Sequence, residues 1–388
     1  MHVKAFEPLG PVARLLMGPG PSNVHPRVYG ALSAPVVGHL DPQFVRIMEE
    51  TKELLREAFQ TTNELTLPIS GTGSAGMETC FVNAVEPGDR VVVGINGVFG
   101  QRMRDVAERC GAEVTAVEAP WGSAIDPQAV AEAVAAGPCK LVAVVHAETS
   151  TGVLQPLEAI SQIVGDSDAL FLVDTVTSLG GVPVAVDEWG VDLCYSGTQK
   201  CLSCPPGLAP VTVSERARAA MANRREPAQS WYLDLSMIQQ YWGEERVYHH
   251  TAPVSMNYAL REALLLIHEE GLHNRWERHR ANHLALVRGL TALGLELLVS
   301  EEIRLPTLTT VKVPEGVDEA AVRRQLLDLH NIELGAGLGE FRGRAWRVGL
   351  MGHTATMENV VHCLAALEAA LEVQGHHSGP GAVRAAIG

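Results

Sequence analysis

Between about residue 64 and residue 200, short apolar runs alternate with stretches whose apolar residues recur at helical spacing. The runs are LTLPIS, RVVVGI, EVTAVEA, LVAVVHAE, ALFLVD and VDLCYSG, separated by segments such as FGQRMRDVAERCG and DPQAVAEAVAAG. A run with little polar alternation fits a strand covered on both faces, and helices between such strands mark βαβ units on a mainly parallel sheet. The pattern predicts an α/β large domain over residues 26–270. After about residue 270 it restarts with the helix LHNRWERHRANHLALVRGLTALG, short strands near LTTVKV and AWRVGL, and helices around VDEAAVRRQLLDLH and MENVVHCLAALEAALEV. This part reads as a smaller C-terminal α+β domain, residues 271–388. Residues 1–25, rich in Gly and Pro, read as an N-terminal arm rather than a core element. The tail GHHSGPGAVRAAIG reads as frayed.

Composition narrows the class. The 388 residues are 46% apolar and 19% charged, which supports a real core and opposes general disorder. A formal charge of -15 works against a nucleic-acid partner, because such affinity comes from clustered Lys and Arg. No apolar run approaches the roughly 18 residues that cross a membrane. The opening MHVKAFEPLG lacks the apolar core of a signal peptide, so the expected location is cytoplasmic. Seven cysteines spread over so long a chain do not resemble a disulfide framework, and reduced thiols are expected. Cys201 and Cys204 form a CxxC, but no second Cys or His pair lies at ligand spacing, so no metal is expected.

Three places could carry chemistry. Gly71-Thr72-Gly73-Ser74-Ala75-Gly76 lies between an apolar strand and a helical stretch, where backbone N–H groups can cradle a phosphate. The spelling also satisfies the dinucleotide motif GxGxxG, which requires an acid at the end of the second strand. Here Asp89 precedes that strand and Asn96-Gly97 ends it, so the motif alone says anion site or tight turn. Asp174 ends ALFLVD and Lys200 follows VDLCYSG in SGTQK, so both side chains would point into one crevice beyond the strand ends. An acid there can keep a pyridinium nitrogen protonated, and a lysine can form an imine with an aldehyde. Taken singly, each also reads as a structural Asp and a solvated Lys.

GPGPSN, SGTG, VEPGD, HAETSTG, LVDTVTSLGG, YSGTQK, PPG, YHHTAPV and WRVGLMG run in order from about residue 15 to residue 370. In that order and spacing the chain resembles the alanine:glyoxylate (serine:pyruvate) aminotransferases, class V enzymes of fold type I that depend on pyridoxal 5'-phosphate. The resemblance implies a homodimer whose active site is shared between subunits, taking a small amino acid and a 2-oxo acid as substrates. It makes Lys200 the Schiff-base lysine and Asp174 the partner of the pyridine nitrogen, with Val176 on one ring face. It assigns Thr72, Gly73 and Ser74, with Gln199, to the phosphate, and Ser150 to the pyridine hydroxyl. Tyr248 and Thr251 resemble the residues that reach the phosphate of the neighbouring subunit. Phe99 stands where a tryptophan often stacks on the ring, and phenylalanine stacks too, with less area. Arg347 matches the substrate-carboxylate arginine, since a planar guanidinium grips a carboxylate with two parallel hydrogen bonds. Arg342 and Arg344 are expected to face solvent, and His249 and His250 to lie on a strand and bond structurally, whereas His39 receives no role.

Rival readings differ at defined positions. A cysteine desulfurase or lyase of the same fold would place His before the lysine and a ring-stacking His where Gln199 and Phe99 stand. An NAD-dependent oxidoreductase would need the missing acid. A regulator that binds the cofactor without catalysis would append a DNA-binding domain. Among aminotransferases, (S)-ureidoglycine or serine as donor to glyoxylate remains a competitor to alanine.

Overall fold

The computed structural model describes residues 9–376 and 381–388, so residues 1–8 of the expected arm and 377–380 of the expected tail lie outside the described residues. Its centre is a seven-stranded sheet in the order Leu65–Ser70, Leu208–Val213, Leu193–Tyr195, Leu170–Asp174, Leu141–Val145, Arg90–Ile95 and Glu113–Glu118. The last five are mutually parallel, and Leu208–Val213 runs antiparallel to both of its neighbours. This is the α/β fold that the apolar runs imply.

Side-chain alternation explains why the central runs carry so few polar positions. Val91, Val93, Leu141, Ala143, Leu170 and Leu172 enter one core. Their neighbours Val92, Val142, Val144, Phe171 and Val173 enter the core on the opposite face. Successive residues of a strand point to opposite faces, so a sheet with helices on both sides needs apolar residues at every position.

Leu208–Val213 is not among the runs that the sequence pattern predicts, and its Pro210 is unusual for an interior strand. In the structure Pro210 stands opposite Pro68, and its carbonyl accepts from Ser196 N at 2.8 Å. The side on which Pro210 lacks a donor faces Ser196, one residue beyond the Val211–Tyr195 end of the paired ladder, so the proline removes no bond from within it.

The smaller sheet is antiparallel, in the order Leu308–Lys312, Ala345–Gly349 and Gly335–Ala336. Trp346 and Val348 enter the core that helices Leu272–Ala292, Glu319–His330 and Met357–Val373 build over it. Arg347, between them in the strand, must therefore face the other way, toward the large sheet.

Two expectations about the chain ends need correction. The arm includes a core residue: Leu15–Leu16 pairs in parallel with Ile332–Glu333, and Met17 is completely buried. Met17 O accepts from Gly349 N at 2.7 Å, after which the chain crosses to the large sheet, where Ser22 N donates to Gln199 O at 2.9 Å. The tail is also ordered at its end, because Ala382–Ile387 is a helix that buries Ala382 and Ala386. Arg288 donates to the carbonyls of Ala385 and Ala386 at 3.2 and 2.7 Å, satisfying groups that a helix end leaves open. Among the described residues, no helix is long and apolar enough to cross a membrane.

The crossing of the arm sets a tight limit at Gly349, where a Cβ would collide with the Gly18 carbonyl. Gly349→Ala should cost about 1–3 kcal/mol through overpacking and should release the arm. Urea unfolding with limited proteolysis at residues 15–22 checks this, and an unchanged midpoint with no new cleavage contradicts it.

Candidate active site

Three of the expected residues meet where the parallel strands end. Asp174 is the last residue of its strand and is buried. Val176 N donates to its Oδ1 at 2.8 Å and Tyr195 Oη to its Oδ2 at 2.7 Å. Burial pushes the Asp174 carboxyl up from 3.8 to about 6, while these two donors oppose the shift. It is therefore ionised at neutral pH. Tyr195, one strand over, has no place in the sequence reading because an apolar strand hides its role as a donor.

Lys200 follows the neighbouring strand and is 8% exposed. Its Nζ donates to Pro19 O, and a Cβ on Gly20 would lie 2.6 Å from Lys200 Cδ. Ser22 Oγ donates to Lys200 O at 2.7 Å, so the N-terminal segment covers the lysine. Burial, then the positive charge of Arg347, lowers the amine from 10.5 to about 8, against the pull of Cys201 and Asp174. A sizeable share of a lysine so placed is neutral, and therefore nucleophilic, near pH 7–8.

An anion cradle lies beside it. Helix Gly73–Ala84 begins at Thr72, whose side chain makes no capping bond. Among the described residues, no hydrogen bond takes up the N–H groups of Thr72, Gly73 or Ser74. Free N–H groups at a helix start form an anion site. Gly73 lets Val176 approach closely, since a Cβ there would lie 3.1 Å from Val176 Cγ2. Gln199 Oε1 is buried with no partner among the described residues. Among the described residues, Leu65–Ser70, which feeds the loop, is an edge strand paired only with the antiparallel Leu208–Val213. This is not the βαβ unit that a dinucleotide fingerprint requires.

Phe99 sits in the first turn of helix Val98–Arg109, partly buried, with the Arg102 guanidinium 5.0 Å from its ring centroid. Ser150 Oγ accepts from Val98 N at 3.0 Å and donates to Glu148 Oε1 at 2.5 Å. Glu148, which the sequence reading passed over, is buried, and burial raises its carboxyl above the usual range while donation from Ser150, Gly100 and Phe99 opposes this. Arg347 Nε donates to Ala336 O at 2.7 Å and Nη1 to Thr149 O at 3.0 Å, leaving Nη2 outside both bonds. Burial lowers the guanidinium from 12.5 to about 10, with Glu148 acting in the opposite direction, and it remains charged at neutral pH.

Other expected residues stay apart from this centre within one chain. Tyr248 and Thr251 are exposed, 3.4 Å apart between Oη and Oγ1. His249 and His250 occupy irregular backbone rather than the expected strand, and their Nδ1 atoms touch at 2.8 Å. His250 Nε2 reaches Ser70 Oγ at 2.8 Å, so the pair bonds structurally, to the residue just before the phosphate-type loop. His39 lies against the Tyr248 ring at 5.2 Å between centroids. Arg342 and Arg344 are exposed. Cys201 and Cys204 are buried and unpaired, and burial raises the Cys201 thiol to about 11.

The unfolded chain holds the Lys200 proton up to its ordinary value, whereas the folded, cofactor-free protein releases it near pH 8. Lys200 therefore penalises folding below about pH 8, and the penalty fades as pH rises toward 10.5. Lys200→Met should raise the urea midpoint of the cofactor-free protein most at pH 7 and least at pH 10. A difference independent of pH contradicts the depressed value.

These groups fit pyridoxal 5'-phosphate: free N–H donors for a phosphate, a buried amine for an aldehyde, an ionised acid for a pyridine nitrogen. A family model described as aminotransferase class-V matches residues 25–340. Alanine–glyoxylate aminotransferase of Rattus norvegicus is 43% identical over 370 residues, covering 94% of this chain and 89% of its own. The crystal structure of an alanine–glyoxylate aminotransferase from Nostoc sp. superposes with a TM-score of 0.93 at 52% identity, covering 95% of this chain and 98% of that one. That of ureidoglycine–glyoxylate aminotransferase from Bacillus subtilis superposes at 0.96 with 44% identity, covering 98% and 99%. The chain belongs to the class V aminotransferases, a family that uses pyridoxal 5'-phosphate.

Proposed function

We propose that this protein transfers the amino group of a small L-amino acid, alanine first and serine next, to glyoxylate or pyruvate in a ping-pong reaction. The observation that carries this reading is the buried Lys200 amine, lowered to about 8 between Asp174 and Arg347. When bound, the cofactor supplies an aldehyde for the amine and a protonated ring that withdraws electrons from the substrate α-carbon.

The chain's own residues supply the rest. The N–H groups of Thr72, Gly73 and Ser74, with Gln199, hold the phosphate. The Asp174 carboxylate, fixed by Val176 N and Tyr195 Oη, keeps the pyridine nitrogen protonated. Val176 and Phe99 pack on the ring faces, and Ser150 meets the ring hydroxyl. Arg347 takes the substrate carboxylate, which restricts donor and acceptor alike to acids. Lys200 Nζ accepts the proton from the α-carbon as a general base and returns it as an acid. Pro19 O gives the freed amine a resting partner. Tyr248 and Thr251, exposed in one chain, serve the phosphate site of a second copy, so that the site is complete in a homodimer.

A second reading is favoured by the relatives, which divide between alanine–glyoxylate and ureidoglycine–glyoxylate enzymes at 52% and 44% identity. The purified holoenzyme should be given alanine, serine, (S)-ureidoglycine and larger amino acids singly, with the visible spectrum recorded before glyoxylate is added. Bleaching by alanine with glycine formed on adding glyoxylate is the expected result. Response to ureidoglycine alone selects the second reading, and response to none overturns both.

Three substitutions test the assignments. Lys200→Ala should abolish turnover and change the visible spectrum of bound cofactor. Asp174→Ala should lose about 3 kcal/mol or more of transition-state stabilisation, measured as kcat/KM. Arg347→Ala should raise KM for alanine and glyoxylate together, on the order of tenfold or more for the loss of a charge-assisted pair. No change in either KM would point to another anchor.

A further inference from the structure

The large sheet reverses its order beside Arg90–Ile95. The chain passes from this strand to Glu113–Glu118 on one side and then to Leu141–Val145 on the other. Such a reversal opens a crevice beyond the carboxyl ends of the two strands that flank it, and ligands bind there. The loops leaving that crevice carry Gly97 and Phe99 from one strand and Glu148 and Ser150 from the other. Glu148 lies between them, 0% exposed.

Four donors converge on this one carboxylate. Oε1 receives Ser150 N at 3.0 Å and Ser150 Oγ at 2.5 Å. Oε2 receives Phe99 N at 3.1 Å and, less closely, Gly100 N at 3.4 Å. The last two are orphan N–H groups at the start of helix Val98–Arg109, where a negative charge is favoured. Gly97 crosses the same spot with no room to spare, since a Cβ would collide with Glu148 and with Ser150 Oγ. An ionised carboxylate accepts at both oxygens and donates nowhere. A glutamine of the same shape would turn one acceptor into a donor and face it toward N–H groups.

We propose that Glu148 is a positioning residue for aminotransfer, whose single buried carboxylate holds Ser150 and the helix turn bearing Phe99 in one register against the cofactor ring. This rests on the reading of Ser150 and Phe99 as ring contacts. Glu148 itself touches neither the cofactor nor the substrate; it acts through those two side chains. Removing the Ser150 hydroxyl loosens the shared acceptor and with it the turn that carries Phe99, which is tied to Glu148 through its backbone N–H.

The test titrates pyridoxal 5'-phosphate into the cofactor-free protein, reading affinity and visible spectrum together with the melting temperature. Glu148→Gln and Glu148→Asp should each weaken cofactor binding on the order of tenfold, as expected for disrupting hydrogen bonds to a charged group, and shift the visible band. In the presence of Glu148, the losses from Ser150→Ala and Phe99→Leu should be less than additive in the double variant, and in Glu148→Gln they should become additive. A lower melting temperature with unchanged affinity and spectrum in Glu148→Gln would mean a helix cap only and would overturn the proposal. Additive losses in the presence of Glu148 would overturn it as well, and that measurement stands even where Glu148→Gln does not fold. If Ser150→Ala and Phe99→Leu each leave affinity and spectrum unchanged, the ring-contact reading fails first and the proposal with it. Effects of those two without any effect of Glu148→Gln would sink the proposal alone.

Discussion

Burial of charge in one crevice governs this structure. Asp174, Lys200, Glu148 and Arg347 are all at least nine-tenths removed from water, with none more than 8% exposed. An isolated ion in such a place is very costly, so each must be met by dipoles or by an opposite charge. Asp174 has Val176 N and Tyr195 Oη, Glu148 has its converging donors, and Arg347 has the carbonyls of Ala336 and Thr149. Lys200 is served least: the Pro19 carbonyl is its hydrogen-bond partner and Arg347 opposes its charge. The cost falls on the residue whose neutral form the proposed chemistry uses.

Supplying those partners requires segments far apart in the chain to meet. The N-terminal segment is the clearest case, because it pairs with Ile332–Glu333, carries Met17 into the smaller core, and then lays Pro19 and Gly20 on Lys200. Arg347 reaches across in the other direction, from the small sheet to the Thr149 carbonyl. Both connections run through the lysine's surroundings, so changes in how the small sheet sits would alter the field at the amine. Function and the joining of the two sheets therefore depend on the same residues.

Edge and end positions explain where the chemistry gathers. Parallel strands aim their carboxyl ends the same way, which brings Asp174 and the loop to Lys200 together without any local signal linking them. The GTGSAG loop joins them because its strand, although paired with an antiparallel neighbour, has the same direction as Leu193–Tyr195. Its free N–H groups then face the crevice that the acid and the amine line.

How much of this was legible depended on distance along the chain. The sequence by itself determined the parallel strands, since nearly unbroken apolar runs in the central ones admit few other arrangements, and it placed Asp174 and Lys200 at strand ends. The ordered motifs added the family, and with it the proposed roles of Ser150, Gln199 and Arg347. Only the tertiary structure decided that LAPVTV is an interior strand, because the missing N–H of Pro210 falls one residue beyond the Val211–Tyr195 end of the ladder on that side. It likewise revealed Tyr195, Glu148 and Pro19, whose parts arise from contacts with residues 21, 49 and 181 positions away. A buried tyrosine, a glutamate in a loop and a proline carbonyl have no local pattern that announces a partner. Their meaning comes from the fold that removes water from them and leaves one neighbour to bond.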